Sequence, residues 1–154
     1  MIRWWMVIAV ALVAIWSGCG SPVEPDWGPV QEEANIGAVR LTAQATRGVG
    51  GRLAISLVAQ NTSTDPVMVE LLGGPCLIIA RVFADAAHTD LKWRSKQPDE
   101  ECVLLAYAIS LEPLATVTTV REWDHRITSR SYVTAEVTRR FDTFHLDAGR
   151  VDVP

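Results

Sequence analysis

Only three cysteines occur among the 154 residues, Cys19, Cys76 and Cys102, and no two stand as C-x-x-C. No histidine lies within a few residues of Cys76 or Cys102, so a zinc site built on their thiolates is disfavoured. Histidine is as sparse: His88, His125 and His145 lie 37 and 20 residues apart and form no H-E-x-x-H pair. They read as scattered surface or turn residues. No G-x-S-x-G nucleophile elbow is present. Gly48-Val49-Gly50-Gly51 is glycine-rich, but no helix pattern or Gly-Lys-Ser/Thr follows, so it reads as a hairpin loop and not a phosphate cradle. Asp99-Glu100-Glu101 cannot aim three consecutive carboxylates at one Ca²⁺ from an extended chain, and a solvated loop is the better reading. No catalytic set, metal set or cofactor motif emerges, and the expectation is a protein that is not an enzyme.

Basic charge is short as well. Of the 14 basic side chains one, Arg3, lies in the N-terminal apolar segment, leaving 13 against 18 acidic ones and a formal charge of −5 for the rest. Nucleic-acid binders concentrate positive charge, so nucleic acid is not an expected partner. Arg139-Arg140 is too small a patch to change that. Internal repeats and low-complexity tracts are absent. So is a second long apolar run, and the body of the chain is expected to be soluble.

What the sequence does have is the stretch Met1–Cys19. Arg3 precedes thirteen uninterrupted apolar residues, Trp4 to Trp16, and the small residues Ser17 and Gly18 lead to Cys19. A charged start, an apolar run and a small-residue exit make a secretory signal peptide. As a helix the run would rise about 20 Å, short of the ~30 Å hydrocarbon core that a permanent span must cross. Trp16-Ser17-Gly18-Cys19 resembles the lipobox of bacterial lipoproteins, in which an aliphatic residue usually holds the place of Trp16. The resemblance implies that Cys19 is acylated and becomes the mature N-terminus. Gly20, where an inner-membrane lipoprotein would carry Asp, implies outer-membrane sorting in a host with two membranes. Each buried methylene of an acyl chain adds about 0.8 kcal/mol, so several chains hold a soluble domain firmly.

The expected organisation is a signal peptide over 1–18, a lipidated, proline-rich tether over 19–35 and one β-sandwich domain over 36–154. Pro22, Pro25, Pro29 and Gly28 favour an extended tether. Beyond it the pattern is almost all strand. Val39, Leu41, Ala43 and Ala45 alternate with polar residues, as do Leu53, Ile55, Leu57 and Ala59. Val67–Leu71 is a third strand, and Cys76–Phe83 (CLIIARVF) is apolar on both faces, which suits burial between layers. Residues 85–101 are expected to form a long irregular connection. Val103–Leu111, Ala115–Trp123, Tyr132–Thr138 and Phe141–Leu146 complete the set, with Val151 and Val153 after a turn at Ala148-Gly149. Glu100–Ile109 and Ser131–Arg139 also carry helical propensity. The fold class expected is all-β, an immunoglobulin-like antiparallel sandwich of seven or eight strands.

In an oxidising compartment the two remaining cysteines, Cys76 and Cys102, are expected to pair. Closing a loop of about 27 residues would stabilise the fold by roughly 3–4 kcal/mol on the chain-entropy model. The strand ending in Gln60-Asn61, then Val67–Leu71 and CLIIARVF, resembles the β-sandwich domain of bacterial intracellular proteinase inhibitors of the BsuPI type. Trp93, the Leu111-Glu112-Pro113 turn and Tyr132-Val133-Thr134-Ala135 extend the likeness over residues 37–153. Leu114 stands where that family's turn favours Pro-Gly, and Arg130 where it has glycine. The resemblance implies an immunoglobulin-like sandwich and, as an alternative function, extracytoplasmic protease inhibition. The primary expectation is a membrane-anchored envelope lipoprotein with a binding or assembly role toward another envelope protein. Lys92, Trp93 and Arg94, in the long connection, are the candidate partner contact, and the alternative reading of Trp93 is a side chain that plugs the end of the sandwich.

Overall fold

The computed structural model describes residues 29–72, 77–96, 106–139 and 142–154. The signal peptide, Cys19 and most of the tether lie outside the described residues, as do Cys76 and Cys102. The described chain is all-β, with ten strands in antiparallel sheets and no α-helix among the described residues. In chain order the strands are β1 (Glu33–Ile36), β2 (Val39–Arg47), β3 (Arg52–Asn61), β4 (Val67–Leu72) and β5 (Ile79–Phe83). They continue with β6 (Leu91–Arg94), β7 (Ala106–Leu111), β8 (Thr116–Arg126), β9 (Ser131–Arg139) and β10 (Asp142–Val151). One sheet has the order β1-β2-β3-β8, the other β10-β9-β5-β6, and β4 pairs with β7 as a separate ribbon.

The period-two pattern of the sequence is the reason for the layers. Val39, Leu41, Leu53, Ile55, Leu57 and Ala59 point inward from the first sheet. They meet Ala80, Val82, Val133, Ala135, Val137 and Leu146 from the second, while Val69, Leu71 and Leu111 of the ribbon join the same core. β5 is buried at all five positions, as its apolar run, interrupted only by Arg81, implies. Ser131–Arg139 is strand, not helix, because its alternate residues Val133, Ala135 and Val137 are needed on one face of the sheet.

Four features differ from the sequence expectation. First, the sheet begins inside the stretch read as tether: β1 pairs with β2, and Ala34 and Ile36 are buried. The strand is too short for its alternation to stand out from the acidic residues before it. Second, the long connection is interrupted by β6, which pairs with β5. The Asp85 carboxylate makes the return possible by accepting the amides of Thr89 (3.0 Å) and Asp90 (2.9 Å), which closes a short loop. Third, β10 does not break at Ala148-Gly149. It runs through with a bulge between Asp147 and Gly149, where Gly149 has φ 88° and the Asp147 carboxylate accepts the Gly149 amide at 2.8 Å. Fourth, the strand count therefore rises from seven or eight to ten. The Gly48–Gly51 hairpin loop is as expected, a single 3₁₀ turn at Val49–Gly51 with Gly50 at φ 70° and Gly51 at φ 80°.

β3 and β8 are paired, and so are the strands joined to them, β4 and β7. A two-stranded ribbon thus leaves the first sheet, bends at residues 62–66 and 112–115, and joins the opposite side of the core. Asn61 sits inside that bend with no exposed surface. Its side-chain amide donates to the carbonyls of Asp65 (2.7 Å), Leu111 (3.2 Å) and Glu112 (3.0 Å). Its side-chain oxygen accepts from the Ser63 amide (2.9 Å) and hydroxyl (2.8 Å). The Asn61 amide donates to the Ala115 carbonyl and that of Leu114 to the Ser63 carbonyl, so both corners are tied together. Within the second corner Ala115 N–H donates to the Glu112 carbonyl at 3.0 Å, with Pro113 leading and Leu114 at φ 58°. That is a turn position glycine takes without steric cost and leucine does not.

Replacing Asn61 by Ala removes the bonds that tie the two corners together and leaves the Ser63 amide without its acceptor, while the Glu112 and Asp65 carbonyls keep the Ala115 amide and the Ser63 hydroxyl; it is expected to lower stability by about 1–3 kcal/mol in urea unfolding. Asn61→Asp should cost more at neutral pH, because an acceptor then faces three carbonyls. Leu114→Gly is expected to shift the urea midpoint upward, by about 0.5–1 kcal/mol in stability, since the exposed leucine side chain gives up little packing.

Candidate functional site

Strand alternation places Trp93, the centre of the predicted contact triplet, on the inward side of β6 opposite Val82. It is half-buried against the core. Trp93 does not hang from a loop as a free anchor. Its ring stacks on His125 of β8 (centroids 4.2 Å apart, planes 10° apart) and meets Trp123 edge-on at 6.5 Å. The Arg121 guanidinium lies 5.4 Å from the centre of the Trp123 ring. Arg121, Trp123 and His125 share one face of β8 because they are two residues apart. β6 and β8 are terminal strands of different sheets, so this row of rings closes one side of the sandwich.

The other two members of the triplet differ from each other. Lys92 is exposed, with Nζ 2.7 Å from the Asp90 carboxylate. Arg94 is half-buried on β6, opposite Arg81 of β5. A cleft of about 230 Å³ opens beside the rings, bordered by Lys92, His125, Arg126, Thr128, Ser129 and Ser131. Two cationic side chains and three hydroxyls suit a small polar or anionic group. The Ser131 hydroxyl donates to the Ser129 carbonyl at 3.0 Å, so it is held by the loop and is not activated by a base. Partial burial depresses the pKa of His125, favouring a neutral ring on Trp93.

The three histidines occupy different surroundings. His88, at φ 56° in the β5–β6 loop, packs edge-on against Phe83 at 5.1 Å. His125 lies on Trp93. His145, on β10, has Nδ1 3.4 Å from an Arg81 nitrogen, and Arg81 forms an ion pair with Glu136 of β9. Arg81 is only 2% exposed, a buried cation on the face of the second sheet that points away from the core. The sequence reading passed over this trio. Its one signal was an arginine inside an otherwise apolar run, which in a buried strand demands a carboxylate partner. Burial lowers the His145 pKa, the Arg81 charge lowers it further, and the Glu136 charge acts against both. Among the described residues no group of three or more His, Cys, Asp or Glu side chains is arranged to hold a metal ion.

Both shifted histidines make stability depend on pH in the same sense. Their folded pKa values lie below the ordinary 6.5, so the unfolded chain binds more protons once pH falls below that value. Stability is expected to be full above about pH 6.5 and to fall as pH drops through the folded values. Asp85 and Asp152, with depressed carboxyl pKa values, contribute to acid sensitivity only near and below the ordinary carboxylate value of 3.8. Urea midpoints across this range should therefore show two phases, and His145→Gln should flatten the upper one. An upper phase unchanged by both His125→Gln and His145→Gln would contradict the assignment. Comparison of the chain with protein-family models and with curated proteins finds no match.

Proposed function

We propose that the protein is a membrane-anchored bacterial envelope lipoprotein whose β-sandwich is a non-enzymatic binding or assembly module. The observation that carries the reading is the stretch Met1–Cys19, with its charged start, apolar run and Ser17-Gly18-Cys19 exit. The acylated Cys19 holds the domain at the membrane, in the outer membrane where the host has two, and Cys76 pairs with Cys102. No cofactor or nucleic acid takes part. An all-β sandwich with a tight core and open strand ends supports a binding role, because loops and edges can vary while the scaffold stays rigid. The contact surface is the β6–β8 side, where Lys92 and Arg126 flank the rings of Trp93 and His125 beside the cleft. Tryptophan and arginine, here Trp93 and Arg126, are side chains that protein interfaces favour. Arg94 supports this surface from within β6.

Two measurements test the reading. The intact mass of the protein extracted from its native membrane should equal the chain from Cys19 plus acyl groups, with Cys76 and Cys102 unreactive to alkylation until reduced. An uncleaved or unacylated chain would remove the anchor. Crosslinking in the intact envelope should then yield an adduct that Lys92→Glu combined with Arg126→Glu, both at exposed positions, diminishes while leaving the urea midpoint close to that of the wild type. Adducts unchanged by that pair would exclude this surface. Stoichiometric inhibition of proteases by the anchored protein would instead favour the inhibitor reading that the BsuPI-type resemblance implies.

A further inference from the structure

A sheet edge offers unpaired N–H and C=O groups, and folded proteins protect such edges by shortness, charge, proline, bulges or cover. Three of the four terminal strands of the two larger sheets are protected in these ways. β1 has four residues, and Glu33 on it pairs with Arg40 of β2. β6 also has four and carries Lys92 and Arg94. β10 is bulged, and Gln31 covers its edge, donating to the His145 carbonyl at 2.9 Å and accepting the Asp147 amide at 2.8 Å.

β8 has none of this protection along its first half. It is 11 residues long, and Thr116-Val117-Thr118-Thr119-Val120 contains no charge, proline or glycine. Its pairing with β3 is regular until the bulge at Arg52/Leu53, at the far end. Among the described residues no strand pairs with its outer edge. Val120 is 60% exposed on the outer face of the sheet, and Val117 is 37% exposed on the inner one. The other layer therefore does not cover this half of the strand. A β-branched, uncharged, solvent-facing edge is a template for one more strand.

We propose that β8 pairs antiparallel with β8 of a second copy of this chain, about a two-fold axis through Val120. The charge pattern suits a second copy of the chain and sets the register. The first half of β8 is neutral, whereas the second, Arg121 to Arg126, carries Arg121, Glu122, Asp124 and Arg126. In an antiparallel self-pair each charged half faces the partner's neutral half. A two-fold perpendicular to the sheet keeps residues of equal parity opposite one another. Centred on Val120, the register sets Thr119 against Arg121, Thr118 against Glu122, Val117 against Trp123 and Thr116 against Asp124. Centring on Arg121 or Glu122 would set identical charges face to face, which is unfavourable. The Val120-centred register is the longest that avoids this. One ladder buries less than a standard-size interface, so the dimer is weak and concentration-dependent. The inference does not rest on the lipid anchor.

The test uses the full chain, purified in detergent, with Val120→Cys. Mild oxidation of this variant should join the two introduced thiols as a disulfide, giving a dimer of this chain that a thiol reductant reverses. The wild-type chain and Met68→Cys, an exposed position on the β4–β7 ribbon, report background from native thiols and random collision. Val120→Lys, which places two ammonium groups at the axis, should abolish the dimer seen by light scattering at high protein concentration while leaving the β-rich circular dichroism unchanged. Equal crosslinking at Val120 and Met68, or dimers that survive Val120→Lys, would each overturn self-pairing.

Discussion

The fold depends on one buried amide. The ribbon β3–β8 must leave its sheet and continue as β4–β7 on the other side of the core, and two bends must occur side by side. A bend strips the ladder of its regular partners, and carbonyls left unpaired in a buried corner are costly. Asn61 answers this from one position: its NH₂ takes carbonyls from both corners and its oxygen takes Ser63. Only a primary amide offers two donors and an acceptor within the volume of a small side chain; aspartate and leucine of similar size cannot. With the two corners locked together, the registers of β3–β8 and β4–β7 follow from one another, and the core on either side of the bend is aligned.

The side of the sandwich where the terminal strands β6 and β8 approach is closed by aromatic packing and not by backbone pairing. Trp93, Trp123 and His125 fill the gap, with Arg121 against the outer ring. Next to the rings lies a polar cleft and, farther along β8, an edge that no strand pairs among the described residues. Both features lie along one strand: the second half of β8 carries the ring cluster and borders the cleft, and its first half lies along the unpaired edge of the sheet. The buried Arg81–Glu136 pair with His145 lies elsewhere, on the outward face of the second sheet, where it fixes β5, β9 and β10 to one another. Removing either partner of such a pair leaves a buried charge uncompensated.

Particular residues show how far the sequence could be read. The alternation of Val39–Ala45 and Leu53–Ala59 reports directly on a half-buried strand, and both strands lie where that pattern puts them. The apolar run of β5 equally announced a strand buried on both faces. Leu91–Arg94 gave no such signal, because four residues among charges have too little periodicity. The strand exists because Asp85 closes the loop before it and Val82 waits opposite Trp93. The stacking of Trp93 on His125 was illegible for a similar reason: the rings are 32 residues apart in sequence and meet only when two sheets face each other.

By itself the sequence determined the all-β class, the inward faces of the main strands and the hairpin at Gly48–Gly51. It also carries the signal-like segment ending at Cys19. These are local properties, written in periodicity, steric demand and composition over a few residues. Tertiary structure alone decided that β8 is a terminal strand, that Trp93 stands on a strand and stacks on His125, and that Arg81 meets Glu136 and His145. Each depends on which strand becomes the neighbour of which. Neighbours are selected by the burial of the whole core, a free energy shared among distant residues and recorded at no single position.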